Sequence, residues 1–496
     1  MSYRGILGIG LLVSVPAFFA WGCGSNGNGF DTDGGVDANA DGGGGQETGF
    51  TFGDTGVDVQ TCVNLQCDLP TCTGTNTTTV TGTVYAPNGT LPLYNVIVYI
   101  PNAPLTPLPI GVTCDQCGAD VSGNPVTVAL TDSTGAFTLT NAPAGSNIPL
   151  VMQVGKWRRE VTIPKISPCV ANPVGNQVNG VEQMTRLPKM QSEGNMPRIA
   201  ITTGGCEHFA CIMPKLGIDP SEYAPGPTSS TTLPKTAFSF YSGGGAGAPG
   251  TPTYPTNSPP AQPFWNDINQ LKNFDLAMLS CECEEPQDAN TTSYGAIRSY
   301  LEAGGRIFTT DFMYVWYKDS SDTNLNSSPW SWPGGAPVGG DPVSIDTTFP
   351  KGTSMGDWLY YVSGIAPYKS EVATYPPVKD QYPVWSANGV VFDNLWAINP
   401  KYGLEWAHSG PYNNGAGSPQ HTRIVTMGMP SADPPASQCG KGVHLDFHIT
   451  SSDTVDSAFP TGCSNTMREP ELVTTFMFFD IASCIQDDTM PPPIPN

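Results

Sequence analysis

Asn273-Phe274-Asp275-Leu276-Ala277-Met278-Leu279-Ser280 and Gly304-Gly305-Arg306-Ile307-Phe308-Thr309-Thr310, with Ser293 to Ala303 between them, decide the fold. The first is an apolar run without polar alternation, the pattern of a strand buried on both faces. Ser293 to Ala303 puts Ile297, Tyr300 and Leu301 on one helical face, and the glycine pair ends that helix before a second strand begins. Strand, helix, strand in this order predicts a mostly parallel sheet covered by helices. Upstream, Pro197-Arg198-Ile199-Ala200-Ile201-Thr202-Thr203-Gly204-Gly205 supplies a further continuous strand, and Pro470 to Ile485 predicts a closing helix through Leu472, Phe476, Phe479 and Ile481. The α/β domain so read spans 197–487, with Pro-, Gly- and Trp-rich insertions near 221–263 and 318–420 and a Pro-rich tail at 488–496.

Before residue 186 the pattern changes. Val80, Gly82 and Val84 alternate with Thr81, Thr83 and Tyr85, Pro87-Asn88-Gly89 makes a turn, and Asn95 to Ile100 is a β-branched run. Val126 to Leu130, Ala136 to Leu139 and Ile148 to Val154 are further short strands, separated by Asp132-Ser133-Thr134-Gly135 and Pro143-Ala144-Gly145. Such spacing predicts an antiparallel β-sandwich over 62–185 with a Cys-rich lead-in, joined to the α/β domain by a linker at 186–196. The expected chain is therefore multidomain: an antiparallel β-sandwich followed by an α/β domain with a mostly parallel sheet and long loop insertions.

The amino terminus carries an address. Arg4 precedes Gly5 to Ala20, an apolar run too short to span a bilayer comfortably and interrupted by Pro16. Ala20-Trp21-Gly22-Cys23-Gly24-Ser25 then resembles a lipobox, which implies a signal peptide at 1–22 and lipidation of Cys23. An ordinary secretory signal or an uncleaved anchor is the alternative, and every version places the rest of the chain outside the cytoplasm. Residues 23–61 are rich in Gly and Asp with no Lys or Arg, a solvated acidic tether. The expected location is the bacterial envelope, lipid-anchored at the outer membrane or cell surface, with the membrane as a partner through that anchor.

A net charge of -22 over 496 residues excludes nucleic acid as a natural partner. Of 14 cysteines, Cys23 is assigned to the lipid, and an exported chain is expected to pair most of the others. The spacing suggests a local set of Cys62, Cys67, Cys72, Cys114, Cys117 and Cys169, then Cys206 with Cys211 and Cys463 with Cys484, leaving Cys281, Cys283 and Cys439. Cys114-Asp115-Gln116-Cys117 reads as disulfide cysteines and not as a redox or zinc motif, since no second such pair and no nearby histidine accompany it.

The first domain resembles the carboxypeptidase regulatory-like family, a transthyretin-type or carbohydrate-binding-like sandwich. The residues that carry this are Pro87-Asn88-Gly89, Thr131-Asp132-Ser133-Thr134-Gly135-Ala136-Phe137-Thr138-Leu139 and Ala142-Pro143-Ala144-Gly145. The resemblance implies a spacer or binding module. Trp157 beside Arg158 and Arg159 is a candidate sugar-stacking platform; its alternative is a strand-end aromatic between solvated arginines.

The second domain, through Phe274 to Ser280 and Tyr300-Leu301-Glu302-Ala303-Gly304-Gly305-Arg306-Ile307-Phe308, resembles class I glutamine-amidotransferase-like domains, including the ThuA-like group. That family's nucleophilic cysteine sits in a strained elbow after a strand. Here the elbow falls on Thr310-Asp311-Phe312, without a cysteine, while Cys281 and Cys283 follow the preceding strand. The family's histidine falls at His448. In Gly442-Val443-His444-Leu445-Asp446-Phe447-His448-Ile449, strand alternation puts His444, Asp446 and His448 on one face. His444 and His448 then lie too far apart to hold one ion, which leaves His448 oriented by a carboxylate, with a solvent-facing edge strand as the alternative. The catalytic candidates are His448, Asp446, Cys283 and Asp311; the ligand-binding candidates are Trp157 and His444.

Two functions follow. One is a lipid-anchored binding or scaffolding protein for a glycan or surface-protein ligand, with a non-catalytic α/β domain. The other is a hydrolase or amidotransferase-like enzyme using His448 with Cys283 or Asp311. Neither reading requires a metal or other cofactor.

Overall fold

The computed structural model describes residues 62–495 apart from 206, 208, 245–254, 256, 329–337, 340–341, 371–378, 384–389, 392–394, 396, 410–420, 450–458 and 465–466. The leader, Cys23, the acidic tether, Cys206 and parts of both insertions lie outside the described residues. Thr61–Asn496 is one compact unit. No helix among the described residues is long and apolar enough to cross a membrane.

The first seven strands are β1 (Thr79–Thr83), β2 (Ile97–Pro101), β3 (Pro125–Leu130), β4 (Ala136–Leu139), β5 (Gly145–Val154), β6 (Trp157–Ile166) and β7 (Ala171–Pro173). They form a three-stranded sheet, β4-β1-β7, and a four-stranded sheet, β3-β2-β5-β6. All pairings are antiparallel except β1 with β7, which run parallel.

Apart from two short two-stranded ribbons (Gln177–Val178 with Val181–Glu182, Val338–Gly339 with Val390–Val391), the later strands build one sheet of ten. They are β8 (Ile199–Thr202), β9 (Tyr223–Pro225), β10 (Phe238–Tyr241), β11 (Leu276–Leu279), β12 (Arg306–Thr310), β13 (Pro342–Ile345), β14 (Gln381–Pro383), β15 (Leu404–Ser409), β16 (His421–Met429) and β17 (Gly440–Leu445). Their order is β9-β10-β8-β11-β12-β17-β16-β15-β13-β14. From β9 to β17 neighbours are parallel, and from β17 to β14 they are antiparallel. The sheet is thus mixed. The continuous apolar runs are its centre: every residue of β8, β11 and β12 is buried.

Alternation along these strands divides the interior. Ala200, Ala277, Leu279 and Ile307 face a core made with Ile297, Tyr300 and Leu301 of helix α1 (Thr291–Glu302). Ile199, Ile201, Met278 and Phe308 face the opposite way, into a core shared with Val98, Leu150 and Trp157 of the N-terminal sheets. Between those sheets and the ten-stranded sheet runs the closing helix α3 (Glu469–Ala482), buried at every residue. A helix apolar on all sides belongs in such an interior. Tyr94 stacks on its Phe476, and Trp157 meets Phe478 and Phe479 at 6.5 and 6.3 Å between ring centroids. Gly155 is required there, because a Cβ would fall 1.9 Å from the Ala482 carbonyl oxygen.

Residues 186–196 are therefore packed and not a free tether: Leu187 is fully buried, and Arg186 forks onto Glu193 at 2.7 and 2.8 Å. The tail is also partly fixed, since Asp488 is held by Lys351 and Lys441.

The disulfides follow the same logic. Cys62–Cys67 and Cys72–Cys169 are local to the first sheets. Cys114–Cys439 and Cys117–Cys484 tie the first part of the chain to the second, and Cys211 joins Cys463. The expected pairs Cys206–Cys211 and Cys463–Cys484, and the local placing of Cys114 and Cys117, are corrected: the partners that packing brings together are remote in sequence. The two cross-layer bonds enclose 325 and 367 residues, so each restrains the unfolded chain over a long loop. Removing Cys114 and Cys439 together by alanine substitution is expected to cost about 2–4 kcal/mol in urea unfolding of the oxidised chain. An unchanged midpoint would show that core packing alone holds the layers together.

Candidate functional site

In an open sheet with parallel strands, the crevice opens at the carboxyl ends where the strand order reverses. Here the chain goes from β8 outward to β10 and then crosses back to β11, so the reversal lies between β8 and β11. The loops that leave β8, β11, β12 and β17 meet at that end. Gly204 makes the meeting possible, because a Cβ there would sit 1.9 Å from the Cys281 carbonyl oxygen.

Three side chains converge. Cys281, two residues past β11, is fully buried and is the only free cysteine among the described residues. Asp311 is the first residue past β12, fully buried, with φ of 41°. That left-handed backbone at a non-glycine residue forms the sharp strand-to-helix elbow that the sequence placed at Thr310-Asp311-Phe312. His448 follows β17, with its side chain 17% exposed. The Cys281 thiol donates to Asp311 Oδ2 at 3.3 Å and lies 3.5 Å from His448 Nε2. His448 Nε2 also meets Asp311 Oδ2 in a hydrogen-bonded ion pair.

Behind them stands Glu207, a residue that no sequence motif singles out. It is buried, and it accepts from the Cys281 backbone N–H at 2.8 Å, from the Thr310 hydroxyl, and from the Ile449 N–H at 3.0 Å. One carboxylate thus fixes the three loops that carry Cys281, Asp311 and His448. Its only sequence signal is its place just beyond the Gly204-Gly205 end of the first parallel strand.

The electrostatics follow from this crowding. Burial first, then the Asp311 and Glu207 carboxylates, push the Cys281 thiol well above its usual range. Burial opposes charging of His448, but Asp311, then Glu207 and Asp446, outweigh it and raise the imidazole to about 9. Burial likewise pushes the Glu207 carboxyl up. Both shifts favour the protonated imidazole and the protonated thiol.

Other candidates lie elsewhere. Cys283 is disulfide-bonded, so its sulfur cannot attack a substrate; the thiol next to His448 is Cys281. Asp446 does not orient His448 by contact: it pairs with Arg423 at 3.3 Å and accepts from the Leu395 N–H. The strand ends at Leu445, so strand alternation does not extend to His448. β17 is no edge strand, being flanked by β12 and β16, and His444 is fully buried, 3.0 Å from Thr309 Oγ1 and 3.7 Å from Asp446, apart from the trio. Trp157 is 1% exposed among Phe238, Phe478 and Phe479, so it offers no sugar platform. Arg158 is buried and engaged by Thr106 and Asn195, and the half-buried Arg159 donates to the Gln183 carbonyl.

No family model matches the chain, and no curated protein matches it. Among solved structures, a ThuA-like protein from Bacteroides uniformis is similar at 10% identity, with 57% of this chain and 91% of that one covered and a TM-score of 0.27. A GMP synthase protein from Thermoplasma acidophilum is similar at 10% identity over 58% and 94%, with a TM-score of 0.28. A type II cohesin–X-dockerin complex from Acetivibrio cellulolyticus is similar at 15% identity over 21% and 64%, with a TM-score of 0.13. At such scores these likenesses add no argument to the strand order and the site, which stand on the chain's own geometry.

Proposed function

We propose that this protein is an envelope hydrolase, tethered through Cys23, whose α/β layer attacks carbonyl substrates at the Cys281–Asp311–His448 centre. The observation that carries the reading is the convergence of these three groups at the carboxyl ends of adjacent parallel strands, beside the reversal of strand order. Strain at Asp311 supports it, since a left-handed aspartate is costly and is kept where its position matters. The Cys281 sulfur lies against a carboxylate, which disfavours thiolate, so water and not sulfur is the attacking group in this reading. Water adds to the carbonyl carbon, the bond to the leaving group breaks, and the proton released by water ends on that leaving group.

The two N-terminal sheets serve in this reading as a β-sandwich spacer of the carboxypeptidase regulatory-like type. The lipobox-like stretch supports the anchor, and the disulfides are consistent with export. Chromogenic esters, thioesters and amides offered to the oxidised chain test the hydrolase reading. Turnover of at least one class is expected, with kcat/KM falling about 100-fold or more in His448→Ala and Asp311→Asn. No turnover across the panel, or turnover indifferent to both variants, overturns it.

A further inference from the structure

We propose that Cys281, Asp311 and His448 are the three protein ligands of one divalent transition-metal ion of the zinc class. The assignment rests on the reading of this trio as the reaction centre and names the cofactor that centre uses.

The first argument is where the three atoms lie. Sγ, Oδ2 and Nε2 all fall within 4.8 Å of one another. With metal–sulfur bonds of about 2.3 Å and metal–nitrogen or –oxygen bonds of about 2.0–2.1 Å, tetrahedral angles separate sulfur from either partner by about 3.5 Å. The observed separations are 3.3 Å from Sγ to Oδ2 and 3.5 Å from Sγ to Nε2. Nε2 and Oδ2 sit closer, in hydrogen-bond contact, and part when the ion enters.

The second argument is that proton relay does not explain the arrangement. In a nucleophile–histidine–acid triad the nucleophile and the acid use opposite ring nitrogens, so that the ring passes a proton between them. Here sulfur and carboxylate both approach Nε2. Sulfur and carboxylate gather at one ring nitrogen, the position that an ion replacing its proton would share among all three.

The third is the state and surroundings of the sulfur. Every other described cysteine is disulfide-bonded, while Cys281 stays a buried thiol. Its sulfur accepts the backbone N–H of Cys283 at 3.4 Å and that of Phe312. Backbone donors aimed at sulfur stabilise a metal-bound thiolate. Glu207 then acts as the outer group, tying the three ligand-bearing loops together through Cys281 N, Thr310 Oγ1 and Ile449 N.

A thiolate, an imidazole and a carboxylate form a mixed soft and borderline set suited to zinc, and against the all-oxygen cages of calcium and magnesium. Three protein ligands leave one tetrahedral position for water, whose pKa such an ion lowers toward neutrality. On binding, the Cys281 thiol proton and the His448 ring proton leave to solvent. His444, on the same sequence face as His448, is not a ligand, being held in the core by Thr309.

The test uses the full oxidised chain, stripped with a chelator and titrated with Zn²⁺ or Co²⁺. One equivalent per chain is expected to bind, raising the melting temperature. Cobalt is expected to give tetrahedral visible bands and a thiolate-to-metal charge-transfer band in the near ultraviolet. Cys281→Ser is expected to abolish the charge-transfer band and, like Asp311→Asn and His448→Gln, to weaken binding about 100-fold. Unchanged melting of the metal-free variants shows that they fold. Absence of stoichiometric binding, or a charge-transfer band that survives Cys281→Ser, overturns the metal site. Hydrolysis that persists in chelator-stripped protein and still falls in His448→Ala sinks the metal alone and leaves the proposed function standing. Stoichiometric binding without turnover of any substrate class sinks the function and leaves the metal.

Discussion

Lys351→Met is expected to destabilise the chain by about 3–5 kcal/mol at neutral pH, because it strips a buried cation from two buried carboxylates. Lys351 sits near the start of helix α2 (Pro350–Ser363) with its side chain fully buried, in contact with Asp480 and 2.6 Å from Asp488. Lys441 closes the square, 2.7 Å from each aspartate. Asp480 lies in the last turn of α3 and Asp488 just beyond it, so the cluster anchors the carboxyl end of the central helix to the sheet. Burial works against the Asp488 charge, yet Lys351 and Lys441 outweigh it and hold its carboxyl well below the usual carboxylate range. For Lys351 burial likewise opposes the charge, and the two aspartates outweigh it and raise the ammonium above its usual value.

The pH dependence follows in sign. A carboxylate with a depressed folded pKa stabilises above its unfolded value of about 3.9, and that contribution disappears as pH falls. A lysine with a raised pKa contributes fully below about 10.4 and loses its contribution only as pH rises further. The gap between wild type and Lys351→Met, read from urea unfolding, is therefore widest near pH 7. It narrows below about pH 4, where the carboxylates, left in the variant with Lys441 alone, take up protons. A gap under about 1 kcal/mol at pH 7, or one that is constant down to pH 3, would show the cluster to be dispensable.

What the sequence made legible divides along physical lines. β8, β11, β12 and α1 were readable because strands buried on both faces are apolar without interruption and α1 has a single apolar stripe. His448 and Asp311 were readable for a related reason: both follow strands whose carboxyl ends must meet if the sheet is parallel. The choice between Cys281 and Cys283 was not, since it turns on which sulfur a disulfide takes, and two residues at one loop carry no sign of that. Trp157 and His444 misled because burial by a remote partner leaves no local trace; α3, some 320 residues after Trp157, is what covers it. The 186–196 segment reads as a linker for a different reason. Its polarity reads as exposure, whereas Arg186 and Glu193 satisfy each other inside the packed unit.

Glu207→Ala is the variant expected to damage both the fold and the site. It removes the acceptor of the buried Thr310 hydroxyl and Ile449 N–H, and leaves the Cys281 N–H only its second acceptor, Thr310 Oγ1 at 3.1 Å; each orphaned donor costs about 1–3 kcal/mol. Because the three donors sit on three different loops, the loss is not only additive. The loops become free to shift relative to one another, and the 3.3 and 3.5 Å separations within the trio depend on their register. Glu207→Gln separates the two effects. Its amide oxygen keeps acceptors for one pair of donors and its NH₂ faces the third as a clash of donors, so much of the packing survives while the clamp is broken. The expected result for Glu207→Gln is a chain that melts within a few degrees of wild type yet loses about 10- to 100-fold in cobalt affinity and in turnover. Urea unfolding of Glu207→Ala, cobalt titration of Glu207→Gln and steady-state kinetics on both read these effects separately. A Glu207→Gln protein with wild-type turnover and cobalt affinity would mean that Glu207 only fills the interior, and that Cys281, Asp311 and His448 hold their register without it.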